Sequence, residues 1–563
     1  MKTVFSYIQV LLAASFGIFL FYSCANQIAP PGGEVDKIPP EIVEVYPEDG
    51  TTNFHDDYIE VTFSEYVQKS SVQSAIFISP EIEGEIEYDW SGKSLSIEFA
   101  DSLKSNTTYL VSFGTGISDL NNGNKMTRAF NLTFSTGNKI DNGVVEGRVF
   151  TDEEPSKVNI YAYRLDTLNV NPMKTKPDYI SQVNLDGEYK LLALPRTAFR
   201  VFAVRDEFKD RLYNVGEDEY GAPFTDIVLS ETDSVFRGLN FLLTKEDTIV
   251  PGITNLVMTD MNHIMLEFSE EIDLKKLNPE NFVIVDSSSK AEKKIDYAYV
   301  GSGNEKKIFL AFADSLSEES ENYLLSRGIF DKYGNESKPD TSFISVNTKA
   351  DTVNAKLIKT TANYGTDKLD FIDGFIELTF DDGFDVLAAA NKFQFADSKK
   401  RRKRFTVKKI DDSKLRIDID GKLRPNSDYV LSLDLNLISD AAGNKLDSIQ
   451  TIKFKTVNDL FFSGLSGKIK DSSDTGNVVL GIFNASDKKT TYSINIGGKK
   501  KFDFKRVIPG KYLLWGFFDS DSNGKYTFGK IYPYEPSEKF SYYPDTLNLR
   551  ARWPVGDIIL NFN

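Results

Sequence analysis

Three stretches of this chain repeat one plan, and that repetition limits the fold more than any other feature. An alternating strand closed by acids appears as Ile59-Glu60-Val61-Thr62-Phe63-Ser64-Glu65. It returns as Ile264-Met265-Leu266-Glu267-Phe268-Ser269-Glu270-Glu271 and as Ile376-Glu377-Leu378-Thr379-Phe380-Asp381-Asp382. Each is followed by a second apolar strand (Ser94–Phe99, Ile308–Phe312, Leu415–Ile417) and then by a Tyr-bearing strand around Tyr109, Tyr323 and Tyr429. Next come the turns Asp119 to Asn124, Asp331 to Asn335 and Asp440 to Asn444, and a closing strand. Period-2 alternation broken by Gly, Asn and Asp every ~8–12 residues is the signature of a β-sandwich. A helical array has no place for it, so the expected fold is all-β, a tandem array.

Composition agrees and removes several functions. The chain has 563 residues, 42 Phe, 26 Tyr and a net charge of −17. Aromatic residues suit half-buried strands. The acidic balance disfavours general nucleic-acid binding, which needs basic surface. One Cys cannot form an internal disulfide, and two His (His55 and His263) are too few for a multi-His zinc site.

The Pro start, the strand ending in Ser-Glu, the Tyr strand and the Asp-x-x-Gly-Asn turn together resemble the bacterial Ig-like domain of the S-layer type. The resemblance covers 39–137, 247–348 and 352–457. In the second unit the Tyr strand is degenerate, with Asn322 before Tyr323. In the third, Asp381-Asp382 replaces Ser-Glu.

Two further segments resemble each other. One holds Gly147-Arg148-Val149, Leu194-Pro195 and Phe199 to Asp206; the other holds Gly467-Lys468-Ile469, Ile508-Pro509 and Tyr512 to Asp519. They are similar to the transthyretin-like sandwich, also found as the regulatory domain of some carboxypeptidases, over 143–245 and 459–563. About 100 residues per unit suffice for an independent core. Short linkers imply a semi-rigid rod of five sandwiches with Asn563 at its far end.

The N-terminus reads as an export signal. Lys2 is followed by an apolar run, Val10 to Phe21, too short for a comfortable membrane span. Cys24 lies directly after it. This resembles a lipoprotein signal of Bacteroidota, with residues 1–23 removed, Cys24 lipidated and 24–38 a tether. The resemblance implies durable anchoring to the outer membrane through acyl chains. Ala25 in place of Asp after the Cys implies, by the same resemblance, export to the outer membrane, and the absence of acids before Glu34 tilts the expectation toward the periplasmic face.

Few residues suggest chemistry. Asp519, Asp521 and Asn523, with Gly524, match the first half of a calcium loop, but position twelve is Lys530 where a bidentate Glu is needed. A strand-ending turn explains them, and a weak Ca²⁺ site is the alternative. The three Asp-x-x-Gly-Asn turns invite the same two readings, and their place in a common fold makes a turn sufficient. Lys399, Lys400, Arg401, Arg402, Lys403 and Arg404 form a basic run where a hairpin should turn. It is either a patch for an anionic partner or a solvated tip that discourages edge pairing. Acid pairs such as Glu270-Glu271 are strand neighbours pointing to opposite faces, so no facing acid/base pair results. Two aromatic-rich loops, Lys209 to Asp226 and Tyr526 to Tyr543, suit glycan or protein contacts, or folding back on their own sandwich.

The expectation is a non-enzymatic scaffold with no cofactor, anchored through Cys24. Its expected partners are other envelope proteins; nucleic acid is not among them and glycan is possible. The alternative is a surface adhesin or glycan-binding protein.

Overall fold

The computed structural model describes residues 35–562 apart from 83, 101–102, 166–169, 302, 447–448, 471–475 and 487–490. Cys24 and the expected signal segment therefore lie outside the described residues. The fold is all-β, and among the described residues no helix is long and apolar enough to cross a membrane. The chain divides into two compact units: residues up to Asn142 with Leu192–Pro195, and Gly143–Leu191 with Arg196 onward.

The first unit carries one sandwich. One sheet orders Ile42–Tyr46, Tyr58–Phe63, Ser94–Phe99 and Ile86–Ser91; the other orders Ile76–Ser79, Thr108–Phe113 and Phe130–Ser135. Alternation sends Ile59, Val61 and Phe63 inward against Val111, Phe113 and Phe134, all fully or almost fully buried. The Tyr109 hydroxyl accepts the Lys104 N–H at 2.8 Å, which ties the strand to the loop before it.

The second unit carries two more sandwiches of this pattern. Ile253–Asp260, His263–Phe268, Lys307–Ala311 and Tyr297–Tyr299 repeat the first sheet's order, as do Leu357–Ala362, Phe375–Phe380, Lys414–Ile419 and Phe405–Lys409. Tyr429 repeats the Tyr109 bond, accepting Arg424 N–H at 2.9 Å. Tyr323 does not repeat it. Its strand presents Asn322 and Leu324 to the core and leaves Tyr323 outside, because a one-residue slip flips every side chain. The Asn322 amide takes over the tie, donating to the carbonyls of Ser317 and Ser320 at 2.9 Å each.

The remaining two sandwiches share a different closure. Gly143–Phe150 pairs in parallel with Val235–Arg237, and Ser463–Lys470 with Val555–Asn561. Gly147 and Gly467 sit where backbone approaches closest. A Cβ would lie 2.0 Å from Leu239 O in one and 2.2 Å from Ile558 O in the other, so only glycine fits.

The second unit is not the extended rod that short linkers imply. Its last sandwich packs back on its first. Tyr220 donates to Gly529 O at 2.9 Å, and Ser537 to Ala222 O at 2.9 Å. Phe150 stacks on Tyr542 and meets Phe540 edge-on, and the Arg200 guanidinium lies 3.6 Å over the Tyr534 ring. The two aromatic-rich loops meet here: Tyr534 and Ser537 of the later loop reach Pro223 of the earlier one, while Tyr526 stays on Trp515 and Phe517 of its own sandwich and Tyr213 and Phe224 stay on Tyr220 and Phe236 of theirs.

Candidate functional site

The junctions between sandwiches of the second unit concentrate its unusual polar groups. Arg506 spans one of them. Its guanidinium bonds Asp370 and Asp459 at 2.7 Å each and lies over the rings of Phe371 and Phe462. Burial works against the charged Asp370, but the Tyr364 hydroxyl and Arg506 outweigh it and lower its pKa. Beside this clamp an open cleft of about 680 Å³ is lined by Tyr364, Phe375, Phe461, Tyr492 and Lys368, among others.

The other junction is built on acids. In all three repeat sandwiches the turn Asp caps its own loop, and the turn Asn reaches back to the acid that opens the sandwich. Asn124 donates to Asp36 O at 3.0 Å, Asn335 to Asp247 O at 3.1 Å, and Asn444 to Asp351 Oδ2 at 3.0 Å. The strand-end acid completes each group. Bridges Val67–Asp119, Ile272–Asp331 and Phe384–Asp440 place Glu65, Glu270 and Asp382 at corresponding positions, each two residues ahead of its bridge. Burial, with the charges of Asp119 and Asp36, raises the Glu65 carboxyl; burial with Asp247 and Asp331 does the same for Glu270. Burial, then Asp382 and Asp351, push Asp440 up to about 6.

The third group receives a cation from the preceding sandwich. His263 Nε2 is 3.1 Å from Asp382 Oδ1, and Nδ1 is 2.9 Å from Asp260 Oδ1. Burial opposes a charged ring, yet the hydrogen bonds and charges of Asp260 and Asp382 hold its pKa at about 10. Tyr299 also donates to Asp382 Oδ1 at 2.7 Å, and Ala298 N–H to Asp412 Oδ2 at 2.9 Å. Gly383 lies under the Tyr299 ring, where a Cβ would meet ring carbon at 2.7 Å.

The residues singled out from sequence are placed as follows. Asp519 is buried and receives Asn477 Nδ2 at 3.0 Å, and the exposed Asp521 receives Asn523 Nδ2 at 2.6 Å. Glu538 comes within 4.8 Å of both acids. Its oxygens already accept Ser520 N–H at 2.6 Å and Thr527 N–H at 3.1 Å. Glu538 follows the motif by many residues, so spacing could not find it. Lys530 pairs with Glu535. The basic run turns the hairpin between Phe393–Asp397 and Arg402–Lys403. Arg401 is tied to Asp397, whose pKa the Arg401 bonds hold at about 2, and Lys399, Lys400, Arg402 and Arg404 are exposed. Arg402–Lys403 is the outer strand of its sheet. Glu271 turns away from Glu270 to pair with Lys332 at 2.6 Å. His55 is exposed.

These sandwiches define the class: a multidomain all-β protein with Ig-like domains in tandem. A family model for the bacterial Ig-like domain matches residues 36–136 and 351–456. No curated protein matches. Among solved structures, the N-terminal part of the bacterial S-layer protein SbsC is 12% identical with a TM-score of 0.17. That match covers 37% of this chain and 45% of that one, so the chain spans less than half its length. The BSP domain of a biofilm associated protein is 9% identical with a TM-score of 0.17, covering 76% and 99%. A Bacteroides ovatus protein, SGBP-B of a mixed-linkage glucan utilization locus, is 9% identical with a TM-score of 0.16, covering 73% and 96%.

Proposed function

We propose that this chain is a lipid-anchored, non-catalytic scaffold of the bacterial outer membrane that presents a fixed surface to another envelope protein. The observation that carries the reading is the closure of the second unit. Loops that would otherwise be free for ligands are spent on packing the last sandwich against the first, and the junctions are held by Arg506 and by the His263 group. A body with fixed junctions suits holding a partner in one geometry, and inter-sandwich motion is the default without such contacts. Cys24, the only Cys, directly after an apolar run, supports the anchor. The acid-free stretch from Ala25 to Gly33 supports periplasmic placement. The test is a Cys24→Ser chain followed through membrane fractionation, with a C-terminal tag for co-purification. Release to the soluble fraction and one recurring partner are expected. Continued membrane attachment, or a chain that purifies alone, overturns the respective half. Digestion by protease added to intact cells would overturn the periplasmic placement.

A second reading has its own observation. The cleft of about 680 Å³ beside Arg506 has ring-lined walls and an exposed Lys368, a size and lining suited to an oligosaccharide. Retention on a glycan array, lost in Tyr492→Ala, would favour it over the scaffold.

A further inference from the structure

The three repeat sandwiches differ at one edge. In the first, residues 47–57 leave the opening sheet and run beside the closing strand Phe130–Ser135. Gly50 N–H bonds Thr133 O at 2.7 Å, Ser135 N–H bonds Thr51 O at 2.8 Å, and the Thr51–Phe134 pairing is parallel. In the third, residues 363–374 do the same. Lys368–Leu369 pairs in parallel with Ile449–Thr456, and Lys455 N–H bonds Asp367 O at 2.9 Å. Each cover also turns an apolar side chain inward: Phe54, 4% exposed, and Leu369, fully buried. The second sandwich has no chain to spare for a cover. Its opening strands, Ile253–Asp260 and His263–Phe268, are joined by Met261-Asn262 alone.

The closing strand Asp340–Ile344 is therefore an outer strand, paired only with Asn322–Ser326 among the described residues. Ser287 N–H bonds Glu321 O, and Arg327 N–H bonds Asn281 O. These bonds set the phase: the odd residues of Asn322–Ser326 bond to Phe282–Asp286, and the even ones to Asp340–Ile344. Asp340, Ser342 and Ile344 are used in that ladder, so Thr341 and Phe343 aim N–H and C=O outward. Ser345, in the place of Ser135 and Lys455, has no protein partner for its N–H among the described residues. The outer face beside this edge is apolar. Phe343 is 57% and Leu325 39% exposed, and Tyr323 meets Phe343 edge-on. The third sandwich puts Lys453 where Phe343 stands and Ser432 where Leu325 stands. An open edge is a template for another strand, and no Lys, Pro or bulge guards Asp340–Ile344.

We propose that the Asp340–Ile344 edge takes an extended segment of another protein, added in parallel as the sister covers are, with alternating apolar residues and Lys or Arg toward its C-terminal end. The charge follows from the loop beside that end. Asp314, Glu318, Glu319 and Glu321 are exposed, no basic residue lies between Ala313 and Asn322, and the loop leads into the strand whose Asn322 faces Ile344. Two strand spacings, ~10 Å, separate it from the occupant, close to one Debye length. A second copy of this chain suits the edge less. The apolar face falls short of the ~800 Å² per partner that a stable dimer needs, whereas main-chain bonds supply a strand's affinity. A copy also brings a net charge of −17 to an acidic loop. The proposal deepens the scaffold reading and rests on it for taking the occupant from another chain.

The test pans the full chain against a displayed library of short linear peptides. Those that enrich are expected to alternate apolar residues and to end in Lys or Arg. The best of them, made synthetically, is then measured by fluorescence anisotropy. Phe343→Lys and Ser345→Pro, both at exposed positions outside the ladder, are each expected to weaken it about tenfold with unchanged urea midpoints. Glu318→Lys with Glu319→Lys is expected to weaken it about threefold at low salt. Enrichment without that pattern, or an affinity that survives both Phe343→Lys and Ser345→Pro, overturns the site. Dimerisation of the parent in sedimentation, abolished by Phe343→Lys, makes a second copy the occupant and overturns the choice of partner. No enrichment at all overturns the proposal while co-purification still decides the scaffold reading.

Discussion

Two of the contacts that hold the second unit in shape are made of opposite materials. The clasp between its first and last sandwiches is aromatic: Phe150, Phe540, Tyr542 and Tyr534 with Arg200 over it. The junction between its two repeat sandwiches is acidic, with one imidazole among carboxylates. The clasp joins residues 309 apart in sequence, as with Tyr220 and Gly529. Closing a long loop costs chain entropy, and buried rings offset it. The acidic junction joins neighbours already tethered by a short linker. It needs little adhesion and can spend its groups on orientation.

This contrast can be broken first at the clasp. Phe540→Ala removes a 4% exposed ring from the cluster with Phe150 and Trp515 and is expected to cost ~3–5 kcal/mol in urea unfolding. An unchanged midpoint would show that the clasp adds nothing. Arg506→Ala should cost about 2 kcal/mol by leaving the buried Asp370 without its cation. A matching loss in Asp370→Asn, non-additive in the double variant, sharpens the point. Gly383→Ala forces a Cβ into the Tyr299 ring and is expected to cost about 1–2 kcal/mol, measured in the same way.

The pH dependence of the acidic junction belongs to His263. Its stabilising charge is fully present below the unfolded pKa of about 6.5 and is lost as pH rises through its folded value of about 10. Thermal midpoints of the parent should therefore fall between pH 7 and 10, and those of His263→Gln should fall less. Parallel curves would remove the imidazolium from the account.

Much of the fold was legible because inward and outward residues alternate with a period the sequence carries openly. Phe375–Phe380 is buried at every second residue, as its letters imply. Tyr323 shows where this ends: its letters align with Tyr109, yet the slip that turns it outward depends on Asn322 finding two loop carbonyls. The candidate sites were legible only in fragments. The turn Asp could be seen in each repeat, but Asp351, Asp382, Asp440 and His263 come from four places, and the meeting of Asp382 with His263 is a tertiary fact. The clasp had a signal, the matching density of rings in the loops at 209–226 and 526–543. Nothing local could say that the two loops would meet each other.

The parallel closure of the last sandwich carries a consequence for biogenesis. Ser463–Lys470 waits for Val555–Asn561 to pair beside it, and only a closed last sandwich can cover Phe150 and Leu242 on the first. During synthesis the first sandwich of this unit emerges with that apolar face bare, and it stays bare while more than three hundred residues follow, as the 309-residue reach from Tyr220 to Gly529 requires. The folded protein hides the patch; the half-made one displays it. That interval is when a holdase chaperone would find its substrate.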